Sequence, residues 1–194
     1  MEKKYRLTEE TTNIADKTLY RIEALKDFNN VKSGDKGGFI ENEENLSQYG
    51  DCWVYDNAKV YDGAIVCNNT IVCGNAEVYD NAIVCDYTKI YDNSKVFGDA
   101  RVFDNAEVYG NAKIYDNGDV LDNAKVFGNA QVFGNGKVYD NAVVHGNAII
   151  CEDAIVYDNA VVCNNAEVFG NAEVFGNAKV CNDTVICGNE KICS

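Results

Sequence analysis

VFGNAQVFGNGKVYDNAVVHGNA, residues 126–148, places a valine at every sixth position: Val126, Val132, Val138 and Val144. Two residues before each stands a small side chain, usually alanine, and two and three residues after each come Gly-Asn or Asp-Asn. A six-residue period cannot keep one stripe of a 3.6-residue helix apolar. It does fit a short strand followed by a tight corner, because alternate residues of a strand share a face. The small residue and the valine then point one way, and the residues on either side of the valine point the other. Lys125, Gln131 and Lys137 sit just before their valines, and charges cannot be buried without partners. The valines therefore face inward.

Outward from this stretch the phrase continues unbroken from Val54 to Ile192, and all 24 periodic positions are Val or Ile. Asn fills the second corner position in 18 of 23 corners. Asn tolerates the left-handed backbone a tight corner needs, so the reading places the bend there. A chain of such units must coil, each strand pairing with the one a full turn away, as in a parallel β-solenoid. With the pattern of an aliphatic residue, three of any kind, a small residue and one more, the sequence resembles the hexapeptide-repeat family. That resemblance implies an all-β fold, a single-stranded left-handed parallel β-helix with three hexapeptides per triangular coil. On that basis 24 units make about 8 coils over residues 39–194, and the left hand is an exception to the usual right-handed crossover.

The first 50 residues depart from the pattern. Ile40 and Leu46 keep the step of six, but Leu46 to Val54 is eight, which predicts an irregular first coil. KTLYRIEALKDF (17–28) and VKSGDKGGFI (31–40) flank the turn-prone Asn29-Asn30 and read as a hairpin or strand pair. Residues 1–38 are accordingly expected to form a β-hairpin cap over the solenoid's first edge, which would otherwise invite aggregation. The segment from Leu19 to Tyr61 also resembles uncharacterised repeat proteins of bacteria and their phages, some of which carry a transferase label on fold alone.

The 194 residues carry 17 Lys and Arg against 31 Asp and Glu, a net charge of −14. Most of the excess lies on the repeats: residues 51–194 hold 9 bases and 21 acids. Direct nucleic-acid binding and binding to an anionic membrane both need basic surface, so neither is expected. The start, MEKKYRLTEETTN, has no apolar core of a secretory signal, and no stretch is apolar enough to span a bilayer. The expectation is a cytoplasmic protein, in the host cytoplasm if phage-encoded. Nine cysteines, an odd number, without a signal sequence point to reduced thiols.

Candidate functional residues lie on the outside. The residue after each Val or Ile is Tyr eight times, Phe six times and Cys eight times, with Leu121 and His145 completing the set. Steps of 18 residues sort them into three columns, one of which holds Tyr55, Cys73, Tyr91, Tyr109, Phe127, His145 and Cys163. Such columns are either cross-rung stacks that stabilise the coil or, where contiguous and exposed, a partner surface. Tyr55, Tyr91, Tyr109 and Phe127 are the aromatic candidates. At the corners, Asp86, Asp104, Asp122, Asp140 and Asp158 recur one coil apart and should repel one another. They are either good turn residues or a negative edge that holds cations or engages a basic groove.

Family acyltransferases generally use a histidine base, and the family's carbonic anhydrases bind zinc through three histidines. This chain has one histidine and no CxxC or HExxH motif, so no metal, cofactor or catalytic residue is assigned. His145 and Cys163 are column neighbours, a spacing that would permit a Cys–His dyad, yet no orienting acid or oxyanion donor lies nearby in sequence. No loop interrupts the repeats to enclose a substrate. The reading is therefore a non-enzymatic acidic β-solenoid that binds another macromolecule through its acidic and aromatic faces, a basic protein surface being the expected partner. One concrete version is a phage-encoded inhibitor of a host defence or nucleic-acid-binding protein. An acyltransferase-like enzyme with an intersubunit site at His145 and a self-assembling scaffold are the alternatives. A homo-oligomer, dimer or trimer, is expected.

Overall fold

The period of six closes into coils of 18 residues. Val126 pairs with Val108 on one side and Val144 on the other, and Lys125 with Glu107 and Val143, in parallel register. The computed structural model describes residues 3–194. In it, 24 strands of two or three residues run from Trp53–Val54 to Lys191–Cys193. They stack as three parallel sheets, called here face I (starting at Trp53), face II (Lys59) and face III (Ile65). Each six-residue unit donates to the next coil through its strand and its corner. Lys125, Phe127 and Asn129 N–H reach Ala142, Val144 and Gly146 carbonyls at 3.0, 3.0 and 2.6 Å. Face II has one further parallel strand, and the whole makes about nine turns, one more than the regular repeats alone supply. The chain is thus an all-β, hexapeptide-repeat-like solenoid, with a single 3-10 turn, Glu43–Asn45, among the described residues.

The interior is a column of valine, isoleucine and alanine. Val54 through Val174 and nearly all the alanines two residues before them have no solvent exposure. Where Thr70, Thr88 and Ser94 replace alanine they are equally buried. Their hydroxyls donate to backbone carbonyls, Thr88 to Cys85 at 2.7 Å and Ser94 to Tyr91 at 2.8 Å, which offsets the cost of burying them.

The corners bend one residue earlier than the sequence reading placed them. At all 23 corners the left-handed residue is the first, with φ between 53° and 77°, as at Asp122 (57°), Gly128 (74°) and Asp140 (57°). Gly or a short polar side chain suits that conformation. The asparagine that follows serves another purpose, described below.

Residues 3–52 close one end. Tyr5–Ile14 (β1) and Lys17–Ala24 (β2) form an antiparallel hairpin, and β2 pairs antiparallel with Lys36–Ile40 (β3). β3 runs parallel to Lys59–Val60 with Ile40 opposite Val60, a step of 20 that Leu46 and Val66 share, whereas every step from Trp53 onward is 18. The two extra residues fall between Leu46, 20 before its partner Val66, and Gly50 (φ 67°), which lies 18 before Asn68 and abuts it so closely that a Cβ would meet its carbonyl at 2.2 Å. The expected cap boundary at residue 38 falls inside β3, and β1 is a strand the sequence reading did not anticipate; Met1 and Glu2 of that cap lie outside the described residues. Tyr5 and Phe28 pack edge-on against the buried Trp53, and the Tyr5 hydroxyl donates to Leu46 O at 2.6 Å. Lys4 is buried beside them, its Nζ 2.9 Å from Cys52 O and 3.2 Å from Cys52 Sγ. Burial lowers the Lys4 pKa and raises that of the Cys52 thiol.

The expectation of nine reduced thiols does not hold. Cys67–Cys85 and Cys163–Cys181 are disulfides, each joining neighbours one coil apart. Column neighbours in register bring their Cα atoms to 4.7 and 4.5 Å, within disulfide range. No helix among the described residues is long and apolar enough to cross a membrane.

Candidate interaction surface

Stepping one coil at a time, the outward columns form stacks. Tyr91, Tyr109, Phe127 and His145 lie ring on ring with centroids 4.7, 4.7 and 4.9 Å apart and planes within 6° of parallel. Face II carries Tyr61, Tyr79, Phe97, Tyr115 and Phe133 in the same arrangement, and face III carries Tyr139, Tyr157 and Phe175. Of the aromatic candidates, Tyr91, Tyr109 and Phe127 are thus brought together. Tyr55 is not: Cys73 separates it from Tyr91 in the column, and its ring packs against the core near the hairpin. Each ring covers its neighbours, so the stacks are half-buried. Burial, helped by nearby carboxylates, pushes Tyr79 and Tyr91 up to about 12 and Tyr61 higher still.

The residues just before the valines form the other row of each face, and there charges alternate along the axis except where Lys113 follows Lys95. Lys89, Glu107 and Lys125 make a run with contacts of 3.5 and 3.4 Å, and Lys59, Glu77 and Lys95 another with 3.6 and 2.7 Å. Arg101 grips the nearly buried Asp119 with two bonds of 2.8 and 2.7 Å. These rows hold nine bases and five acids.

The corners differ in kind. Their two turn positions hold 14 acids and no base. Apart from Asp62, which pairs with Lys17, no corner acid has an ion-pair partner among the described residues. Asp86, Asp104, Asp122, Asp140 and Asp158 follow one another along the corner between faces III and I. Each of the last four turns a carboxylate oxygen onto the N–H of the next corner. Asp104 accepts from Asp122, Asp122 from Asp140, Asp140 from Asp158 and Asp158 from Gly176, at 3.4, 3.3, 3.2 and 3.0 Å. Asp86 accepts from Asn68 Nδ2 at 2.7 Å. One oxygen of each is engaged with the backbone ladder or a side-chain amide, and the row remains an uncompensated line of negative charge one strand spacing, about 4.8 Å, per step.

Beside it runs a row that sequence reasoning assigned to bending alone. The corner asparagines donate side chain to side chain along the axis: Asn105 to Asn123, Asn123 to Asn141 and Asn141 to Asn159 at 3.3–3.4 Å. The column Asn75, Asn93, Asn111, Asn129, Asn147 and Asn165 does the same at another corner. A period of 18 with Asn at the same place already contained this signal.

His145 closes the face I stack over Phe127, and its column neighbour Cys163 is bonded to Cys181. The Cys–His dyad the spacing allowed is therefore not formed. Two of the tyrosines outside the stacks are largely exposed. Tyr49 and Tyr87 are 65% and 63% exposed, both near the corner between faces III and I, and Tyr87 walls a surface concavity with Asn29, Asp51, Ile71 and Lys89.

No protein-family model matches the chain. Over an alignment of 62 positions that covers 28% of the chain, the sequence is 44% identical to the uncharacterized acetyltransferase YdcK of Escherichia coli strain K12. The match spans 19% of that relative's length.

Proposed function

We propose that the protein is a non-catalytic scaffold that binds another macromolecule, a protein with a basic surface, along its acidic corners. The carrying observation is the segregation of charge. The acids on the faces are mostly paired with bases across the rungs, while of the 14 acids set on the corners only Asp62 has a base beside it among the described residues. Repulsion along such a row works against stability, and a basic groove laid across it would relieve that cost and be steered toward it over a Debye length. The five aspartates from Asp86 to Asp158 supply the longest unbroken carboxylate line. Stacked rings at its flank give a rigid, dry shoulder for the partner to rest against.

The test is a partner captured from the native host, identified and then titrated against the protein at rising salt. Affinity should fall steeply with ionic strength, and changing the five aspartates together to asparagine should abolish most of that dependence. Affinity indifferent to salt and to the five changes would sink the reading. The acetyltransferase name of the relative supplies a second reading, an intersubunit site around His145. Acetyl transfer lost in His145→Ala, with the stack otherwise intact, would establish that reading instead.

A further inference from the structure

Tyr87 breaks a rule that every other corner keeps. The second corner position holds Asn, Asp or Gly at all remaining corners, and most of those Asn and Asp side chains join an axial ladder. In its own column Tyr87 stands between Asn69 and Asn105, and the ladder resumes only from Asn105 to Asn123. The substitution forfeits ladder bonds and gains no burial in return, since the ring is 63% exposed. A residue that loses on both counts within an otherwise consistent repeat is placed for something outside the chain.

What lies beside the ring indicates what that is. The concavity Tyr87 walls draws on four successive coils, with Asp51, Asn69, Tyr87 and Asn105 down one side and Ile71, Lys89 and Glu107 on its floor. Asn29, on the loop between β2 and β3, closes the side toward the hairpin. The one base on the floor, Lys89, already pairs with Glu107 at 3.5 Å. Asp86, next to Tyr87 in sequence, begins the carboxylate row. An exposed aromatic face bordered by carboxylates favours a planar cation, and guanidinium stacks on such rings while its edge donates to carboxylates. We infer that this concavity is the anchor point for an arginine side chain of the bound partner, stacked on Tyr87 and held by Asp51. The inference rests on the basic-partner reading and adds to it a fixed register: the partner begins at Tyr87 and extends along the aspartate row.

The experiment uses full-length protein labelled with 3-fluorotyrosine and 15N, titrated with a short arginine–glycine peptide and with its lysine counterpart. The fluorine resonance of Tyr87, assigned by its loss in Tyr87→Asn, should move most among the 12 tyrosines. Arginine should outbind lysine, and Tyr87→Asn should weaken the arginine peptide roughly fivefold. Because asparagine restores the ladder, that variant should melt no lower than the parent, so lost binding cannot be lost folding. Amide shifts confined to the row from Asp104 to Asp158, with Tyr87→Asn binding unchanged, would overturn the anchor and leave the acidic-corner reading standing. So would a Tyr87 resonance that ignores both peptides. Movement of that resonance with a maltooligosaccharide and not with the peptides would assign the platform to sugars and overturn it as well. Failure of the broader reading is seen separately, in salt-indifferent binding of the native partner.

Discussion

Faces and corners are built from the same six-residue phrase, yet they manage charge in opposite ways. On a face, unlike charges mostly alternate up the axis and rings lie on rings, so most coils satisfy the next. At a corner, like charges succeed one another and only the backbone N–H of the next coil and the asparagine ladder temper them. The lesson is that position in the repeat, not composition, separates what holds the solenoid together from what it offers to solvent. Breaking the faces should therefore cost stability, and altering the corner charge should not.

The largest expected effect is the loss of the face stacks at high pH. An unfolded tyrosine ionises near 10, whereas Tyr79 and Tyr91 hold their protons to about 12 and Tyr61 beyond that. Between those limits the folded chain binds more protons than the unfolded one, so stability falls as pH rises. Below pH 10 this contribution is fully present. Tyrosinate absorbance and the circular dichroism of the sheets should change together in that window, cooperatively. Rings that titrate gradually near 10 while the sheets persist would show that the stacks are not held as described.

Next comes reduction of the two disulfides. Cys67–Cys85 staples the first two coils on face III, and Cys163–Cys181 the last two on face I. Each closes a loop with a sequence separation of 18, which on the chain-entropy account is worth about 3 kcal/mol. End coils of a solenoid have one neighbour and fray first, so the staples sit where fraying starts. Hydrogen exchange with and without reductant should show protection lost in the end coils and kept in the middle ones. Uniform loss would mean that the solenoid unfolds as one cooperative body.

Much of this was legible in the sequence and some was not, for physical reasons. The inward series from Val54 to Ile192, the step of 18 and the irregular first coil follow from periodicity, because burial enforces register at every strand. The columns were equally readable, and Tyr91, Tyr109 and Phe127 stack as drawn. The bend was assigned one residue late because Asn and Asp both accept left-handed backbone, and their order within a corner depends on which one the next coil needs as a ladder partner. Disulfides escaped because compartment and parity were weighed while register was not, although register alone puts Cys67 beside Cys85. β1 escaped because YRLTEETTNI has no alternating apolar face; its outward positions are solvent-exposed and it depends on pairing with β2. Tyr87 was visible as one exception among the corner asparagines, but its isolation from the stacks is a fact of three dimensions.

The smallest effect is the most discriminating. At Asp122 the side chain does two jobs: it tolerates a φ of 57° and it accepts from the Asp140 N–H at 3.3 Å. Asp122→Ala keeps neither, and the left-handed strain together with the lost acceptor should lower stability by about 2 kcal/mol. Asp122→Asn keeps both, since its carbonyl oxygen accepts the same bond and Asn accepts the same backbone, and it also removes one charge from the repelling row. Thermal unfolding of Asp122→Asn should therefore match the parent or exceed it by a few tenths of a kcal/mol. If stability alone selected the residue, asparagine would serve at least as well there, as Asn68, Asn164 and Asn182 do at other corners. A near-silent Asp122→Asn would thus mean that the carboxylate is kept for its charge. A marked destabilisation would instead make the aspartate row structural and take away its claim to be a docking edge.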